Sequence, residues 1–276
     1  MQIFLAGASG AIGRRLIPRL IHAGHTVSGT TRRPERAATL RALGARPVVL
    51  DVLDAAAVSD ALRADRPDVL IHQLTDLSTR DFAANAQLRI DGTRNLVEGA
   101  RAAGVETMIA QSIAWLYAPG EGPAAETDPL DPALPGCAAV VALEQAVGSM
   151  PRGIVLRNGM FYGPGTWYAP DGMIAEQVRD RSYPTESWWS SFIHVDDAAD
   201  AVVAALAWPA GAVNVVDDEP AVTAEWLPIF SDAVGGPSIE LDSSGPIAGR
   251  PISNAKAKSL GWELTHPTWR NGFFAQ

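Results

Sequence analysis

Short apolar runs alternate with longer amphipathic stretches through the first half of the chain, and glycine, proline or small polar residues punctuate the switches. Met1–Ala6 is an apolar run of strand length, and Arg14–Ala23 has the periodicity of a helix packed on one face. His25–Thr31 reads as a second strand. Pro34–Leu43 reads as a helix, with Pro34 near its first turn and Gly44 past its end. Arg46–Leu50 is a short third strand, and Asp54 is placed to cap a helix reaching Ala64. In Pro67–Gln73 the centre Val69-Leu70-Ile71 is continuously apolar, as a strand covered on both faces requires. A long helix is expected from about Asp81 to Ala103, stopped by Gly104. A strand over Val105–Gln111, a helix near Ala138–Val147 and a strand over Arg152–Arg157 follow. This β-α repetition predicts an α/β fold with a parallel, doubly wound sheet.

The link between the first strand and the first helix reads Gly7-Ala8-Ser9-Gly10-Ala11-Ile12-Gly13. Gly7 permits a tight turn at positive φ, Gly10 lets a pyrophosphate approach the backbone, and Gly13 lets the helix pack closely on the strand. The helix N-terminus offers unpaired N–H groups and the positive end of a dipole to phosphate. Such glycine patterns also occur in ordinary turns; this one follows a strand and opens a helix, the context a dinucleotide site requires. The expectation is a Rossmann-like dinucleotide-binding domain over residues 1–157, with Gly7, Ser9, Gly10, Ala11, Ile12 and Gly13 lining the cofactor.

Residues 158–276 have another texture. Gly, Pro, Trp and Tyr cluster between Gly159 and Trp189, and Trp167, Trp188, Trp189, Trp208 and Trp226 all fall between residues 160 and 230. Such aromatics among polar loops suit either the wall of a small-molecule cleft or a satellite hydrophobic cluster. This smaller C-terminal part is read as mainly substrate-binding, with Tyr162, Trp167, Tyr168 and Trp188 as lining candidates. Some of its segments are expected to return to the Rossmann core; along the chain, Phe192–Val195 leads into a helix over Asp196–Trp208, and Ala212–Val216 reads as one more strand. Thr223–Val234 reads as another helix. Ligands of such sheets sit beyond the carboxyl ends of the strands. That rule gathers the turn after Ala6, the tail Gln73–Asp76, Gln111–Tyr117 and Asn158–Thr166 around one crevice, with Gln73 on the cofactor side.

The second strand ends Thr30-Thr31-Arg32-Arg33-Pro34. A free ribose 2′-OH usually meets an acidic side chain there, and none is present. Arg32 and Arg33 instead offer two guanidiniums that fork onto a 2′-phosphate, or form a solvated basic pair at a helix start. The cofactor expected is NADP(H) in preference to NAD(H). The formal net charge of −9 argues against nucleic acid and anionic membranes as partners. No apolar stretch of spanning length is present, and the chain enters a strand without a basic and apolar leader. Cytoplasmic localisation and a small-molecule substrate are therefore expected, with a homodimer as the default assembly. The single cysteine, Cys137, excludes an internal disulfide and a cysteine-cluster metal site, so no metal is expected.

The G-x-x-G-x-x-G spacing resembles the short-chain dehydrogenase/reductase superfamily, particularly its extended and atypical, epimerase/dehydratase-like branches. Further segments carry the resemblance along nearly the whole chain. Gly92-Thr93-Arg94-Asn95-Leu96-Val97 is similar to the G-T-x-N-L helix segment of that group. Leu156-Arg157-Asn158-Gly159-Met160-Phe161-Tyr162-Gly163-Pro164-Gly165 resembles its L-R-x-x-x-x-Y-G-P-G loop. Phe192-Ile193-His194-Val195-Asp196-Asp197 resembles its F-I-H-V-D-D segment, and Asn214-Val215-Val216 its late strand. The resemblance implies that Asp51 hydrogen-bonds the adenine amino group, with the backbone of Val52 also used. Asp51 or Asp54 would equally serve as the helix cap. It also implies that His194 mostly fixes a helix start, although its ordinary pKa suits acid–base work.

The catalytic pattern of that superfamily is Ser/Thr with Tyr and Lys at Y-x-x-x-K, the lysine lowering the tyrosine pKa for proton exchange. This chain has no Y-x-x-x-K, and its only lysines are Lys256 and Lys258. Aligning Glu144 with the usual glutamate places Gly136 at the tyrosine and Val140 at the lysine. Ser112 remains, as a group to orient a substrate oxygen or as a loop serine bonded to backbone. Tyr117 is the nearest phenol, either a substitute proton donor or a structural or substrate-lining side chain. The leading expectation is an NADP-dependent oxidoreductase of atypical short-chain type, acting on a small carbonyl, imine or enone. Ser112 would orient the substrate, and Tyr117 or water would supply the proton. The alternatives are a non-redox isomerase, dehydratase or cyclase on the same scaffold, and a non-catalytic NADP-binding sensor.

Overall fold

The computed structural model describes residues 1–75, 81–241 and 246–273. Asp76, expected at the crevice, lies outside them. Strands β1 (Gln2–Ala6), β2 (Thr26–Thr31), β3 (Arg46–Val49), β4 (Val69–His72), β5 (Thr107–Ile113), β6 (Arg152–Asn158) and β10 (Gly211–Val215) form one sheet in the order β10-β6-β5-β4-β1-β2-β3. The pairs β1–β2, β1–β4, β2–β3 and β4–β5 are parallel, with Ile3 opposite Val27 on one side and Val69 on the other. Strand order reverses between β1 and β4, the point where open α/β sheets leave a crevice at their carboxyl ends.

Helices α1 (Ala11–His22), α2 (Ala37–Ala42), α3 (Ala55–Asp65), α4 (Phe82–Gln87), α5 (Thr93–Ala102) and α6 (Cys137–Gly148) connect these strands. Two differ from expectation. The first helix begins at Ala11 rather than Arg14, because the end of the glycine turn already is its first turn. The long helix expected over Asp81–Ala103 is interrupted by a π-helical turn at Leu88–Gly92. Apolar periodicity is blind to one inserted residue per turn, so the break left no mark in the sequence.

The chain divides into two compact units. The first comprises residues 1–112, 132–156 and 199–212; the second comprises 113–131, 157–198 and the residues from 213 onward. In the first, β1 and β4 are buried along nearly their whole lengths, and Leu62, Leu70, Leu96, Met108 and Leu143 fill the core. Helix α8 (Val195–Ala204) contributes its Asp200, which pairs with Arg19 of α1 at 2.7 Å.

The second unit has an aromatic core. It also holds β7 (Met160–Tyr162), β8 (Trp189–Ser190), β9 (Phe192–His194) and β11 (Ala221–Val222), with α7 (Met173–Arg179), α9 (Thr223–Ala233), α10 (Ala255–Ser259) and α11 (Trp269–Gly272). Phe192 and Trp226 meet edge-to-face with centroids 5.4 Å apart, and Tyr168, Phe230, Trp269 and Phe273 close around them. Such pairs add to area burial through ring quadrupoles. No helix among the described residues is long and apolar enough to cross a membrane.

Asp217 lies in this second unit just past β10 and is almost fully buried. One carboxyl oxygen accepts from the Glu219 N–H at 3.2 Å, while the other has no partner. Burial pushes its pKa up to about 8. Between the ordinary carboxylate range and pH 8, the folded protein therefore holds a proton that the unfolded chain releases. The contribution of this group to stability falls as pH rises through that window. Asp217→Asn should gain stability relative to the parent as pH rises from 5 to 7, by about 1.4 kcal/mol per pH unit. Urea unfolding at three pH values measures the gap, and a constant gap would show that Asp217 is ionised in the folded state.

Candidate functional site

Every cofactor candidate named from the sequence falls within the first unit, at or just beyond the carboxyl ends of β1 to β4. Gly7 has φ +90°, and a Cβ on it would lie 2.7 Å from the Gln73 carbonyl oxygen. A Cβ on Gly13 would lie 2.3 Å from the Gly7 carbonyl oxygen. Both close approaches exclude any side chain. Gly10 is the N-cap of α1 and supplies no side-chain cap, so the first-turn N–H groups keep their capacity for an anion. The side chain of Gln73 is buried with neither its amide nitrogen nor its oxygen partnered. A crowded glycine turn, an uncapped helix start and an unsatisfied carboxamide fit a bound dinucleotide.

Ser9 of the turn approaches Thr31 at 3.5 Å between hydroxyls, and Thr31 Oγ1 accepts from the Arg33 N–H at 3.1 Å. Arg32 and Arg33 are both exposed at this edge. A third guanidinium joins them. Arg36 Nη1 donates to the Ser9 hydroxyl at 3.4 Å and its carbonyl at 3.5 Å. Sequence reasoning missed Arg36, though its place three residues after Arg33 puts it one turn on, facing the glycine loop.

At the third strand end the two aspartates separate their roles. Asp54 caps α3, accepting from the Ala57 N–H at 3.0 Å. Asp51 is exposed, and its Oδ1 accepts from the Leu53 N–H at 3.0 Å. The G-T-x-N segment on α5 pins this loop and the next. Asn95 donates to the Val52 carbonyl at 2.9 Å, and Thr93 Oγ1 meets His72 Nε2 at 3.0 Å. His72 Nδ1 accepts from the Leu74 N–H at 3.1 Å. Burial, with the Arg89 charge nearby, lowers the His72 pKa to about 4, so it is a neutral fixture at pH 7.

Ser112, on β5, is almost fully buried, and its hydroxyl donates to Glu144 Oε1 at 2.7 Å. Glu144 stands on α6, whose N-cap is Gly136 at φ +81° and whose Val140 is fully buried. Neither position carries an ionisable group.

Tyr117 belongs to the second unit. It is 3% exposed and donates to Asn214 Oδ1 at 2.7 Å, while Arg157 Nη1 donates to its oxygen at 2.8 Å. The Arg157 guanidinium also stands over the ring, 5.2 Å from its centroid. Asn214 continues the network through its N–H to Glu126 Oε1 at 2.7 Å. Burial raises the Tyr117 pKa despite Arg157. The phenol proton is committed to Asn214, a geometry that belongs to a structural clamp.

Of the substrate-lining candidates, Tyr162 is fully buried in the aromatic core and Tyr168 nearly so. Tyr168 also borders a cavity of about 300 Å³ with Gly163, Pro164, Asp171 and Phe273. Trp167 packs on the same core, and Trp188 is half-buried, its ring against Gly249. His194 Nδ1 accepts from the Asp196 N–H at 3.3 Å at the start of α8, and its ring stacks on His266 at 3.7 Å. Among the described residues no cluster of metal-ligating side chains occurs.

The profile of the NAD dependent epimerase/dehydratase family matches residues 3–216. A 3-diazoavenalumate denitrifying reductase from a Streptomyces species is 42% identical over 304 aligned positions, covering 99% of each chain. A UDP-glucose 4-epimerase from Mycolicibacterium smegmatis is 27% identical, covering 95% of this chain and 93% of its own. Among solved structures, a UDP-glucose 4-epimerase with UDP-glucose from Thermotoga maritima superposes with a TM-score of 0.81. Its identity is 20%, over 99% of this chain and 96% of its own. A Thermus thermophilus UDP-glucose 4-epimerase in complex with NAD gives 0.79 at 24% identity, over 99% and 97%. At such identities the two structures speak for the fold alone.

Tyr117→Phe removes the donor to Asn214 Oδ1 and one acceptor of Arg157 Nη1 in a buried site. It should cost about 1–3 kcal/mol in urea unfolding while leaving cofactor affinity unchanged. A variant of unchanged stability and greatly reduced turnover would instead mark the phenol as a proton donor.

Proposed function

The chain belongs to the NAD dependent epimerase/dehydratase family and is an enzyme of the NAD(P)-dependent oxidoreductase type, and we propose that it works as an NADPH-dependent reductase of an activated, nitrogen-centred acceptor. The observation that carries this reading is the hydrogen bond from Ser112 to Glu144. An ionised carboxylate only accepts, so the serine proton lies on the Glu144 side. The Ser112 oxygen then turns lone pairs, not a proton, toward any ligand. Lone pairs suit a cationic acceptor such as an iminium or an aryl diazonium, and are poorly suited to the developing oxyanion of a ketone.

The residues that would hold the cofactor are those around the glycine turn, with Asp51 and Val52 at the adenine end and Gln73 beyond β4. Arg32, Arg33 and Arg36 would face the 2′-phosphate, which supports NADP(H) over NAD(H). Bound there, a reduced nicotinamide supplies hydride. Helix α6 contributes no tyrosine–lysine pair, and Gly136 and Val140 leave no acid in its place. Such a site favours acceptors that need no enzymic proton. One aryl diazonium and one hydride give the arene and dinitrogen, with atoms and charge balanced. The similarity to a denitrifying reductase of a diazo compound supports the same class.

Calorimetry with NADPH and NADH, followed by absorbance at the reduced nicotinamide band with iminium, aryl diazonium, ketone and enone acceptors, tests the proposal. NADPH should bind more tightly than NADH, and the cationic nitrogen acceptors should oxidise it faster than ketones. Arg36→Gln should weaken NADPH about tenfold and leave NADH unchanged, the loss of one charge-assisted hydrogen bond. Tight NADPH binding without oxidation by any acceptor would shift the reading to a non-redox enzyme, and binding of neither cofactor would remove its basis.

A further inference from the structure

Arg89 lies in the π-helical turn Leu88–Gly92 between α4 and α5. Such turns are rare and occur frequently at functional sites. Arg89 is 8% exposed, and among the described residues no carboxylate, carbonyl or hydroxyl is hydrogen-bonded to its guanidinium. Burial lowers its pKa from the ordinary arginine value, but a guanidinium stays charged in a protein. A buried charge without a counter-ion is costly, and folded proteins normally pair it.

The described surroundings do not supply a partner. His72, whose titration Arg89 influences, is neutral and has both ring nitrogens engaged, by the Leu74 N–H and by Thr93 Oγ1. The π turn packs against α6, where the sole carboxylate, Glu144, holds the Ser112 hydroxyl. Gln73, next to His72, presents a buried carboxamide with neither polar atom satisfied. A buried carboxamide and a guanidinium without a hydrogen-bond partner among the described residues thus both lie near His72, at the end of β4. The missing element is an oxyanion, which would accept from the guanidinium.

We propose that Arg89 is the anion anchor of the substrate site, taking the carboxylate of the molecule that is reduced. The substrate class is then a small carboxylic acid whose remote end carries the hydride acceptor. This rests on the reductase reading above. A phosphate of the cofactor has the same oxyanion chemistry, so the test separates the two sources.

The protein is loaded with NADP⁺, and binding of 4-hydroxycinnamate, benzoate and their methyl esters is followed by tryptophan fluorescence and calorimetry. NADP⁺ itself is titrated separately, and Arg89→Gln and Arg89→Lys are compared with the parent. At least one acid should bind at least tenfold more tightly than its ester. Arg89→Gln should abolish that preference, Arg89→Lys should keep part of it, and NADP⁺ affinity should change less than twofold. The melting temperature of Arg89→Gln should hold or rise, since a charge on a largely buried side chain is removed. Acids that bind no better than esters would overturn the proposal. So would a tenfold loss of NADP⁺ affinity, which would assign Arg89 to the cofactor, or an acid preference that survives in Arg89→Gln. Because binding is read without turnover, failure of hydride transfer and failure of the anchor are distinguishable.

Discussion

Backbone crowding at Gly7 and Gly13 constrains the rest of the first unit. The Gly7 carbonyl oxygen would meet a Cβ on Gly13 at 2.3 Å, and the Gln73 carbonyl oxygen would meet one on Gly7 at 2.7 Å. Three backbone segments therefore converge where β1 and β4 end, with no side chain between them. That convergence lets α1 begin at Ala11, directly after the turn, and leaves its first N–H groups beside the gap where the strand order reverses. A methyl group at either glycine would push the helix away from the strand ends or close the approach of an anion.

Given that geometry, one helix sets the two neighbouring loops. Thr93 and Asn95 stand two residues apart on α5 and reach different strand ends, Thr93 to His72 at the end of β4 and Asn95 to the Val52 carbonyl after β3. Gly92 lets this helix lie close, since a Cβ there would come within 3.1 Å of Val52 Cγ2. With Asp54 engaged as the cap of α3, Asp51 keeps an exposed carboxylate. The G-T-x-N pattern is thus a positioning device, and its physical content is two hydrogen bonds to loops distant in sequence.

Local, periodic features were legible in the chain, and partners distant in sequence were not. The alternation of apolar runs gave the parallel sheet, because strands covered on both faces must be continuously apolar. The glycine turn could be read because backbone proximity forbids every other residue. The π turn could not, since Leu88, Leu96 and Val97 keep an apolar periodicity across it. The Glu144 partner of Ser112 and the Asn214 partner of Tyr117 lie 32 and 97 residues away, and only the fold brings them together. Tyr162 and Tyr168 show the same limit: a Gly- and aromatic-rich stretch has one composition whether its rings face a cleft or each other, and here they chiefly face each other.

Helix α6 joins these observations to chemistry. Its inner positions Ala139, Val140, Leu143 and Val147 are buried and apolar, so the helix serves the core first. A lysine at Val140 would be fully buried and would require a counter-charge; valine costs nothing there and removes the means of lowering a phenol pKa. Loss of the lysine makes a tyrosine one turn earlier a poor base, and the helix starts after Gly136 instead. The one polar group α6 keeps on this side, Glu144, draws the Ser112 proton to itself. Each step moves the site from donating protons toward accepting them. Proton demand would then be met by the acceptor or by solvent, which is the demand that the proposed hydride transfer to positively charged acceptors makes.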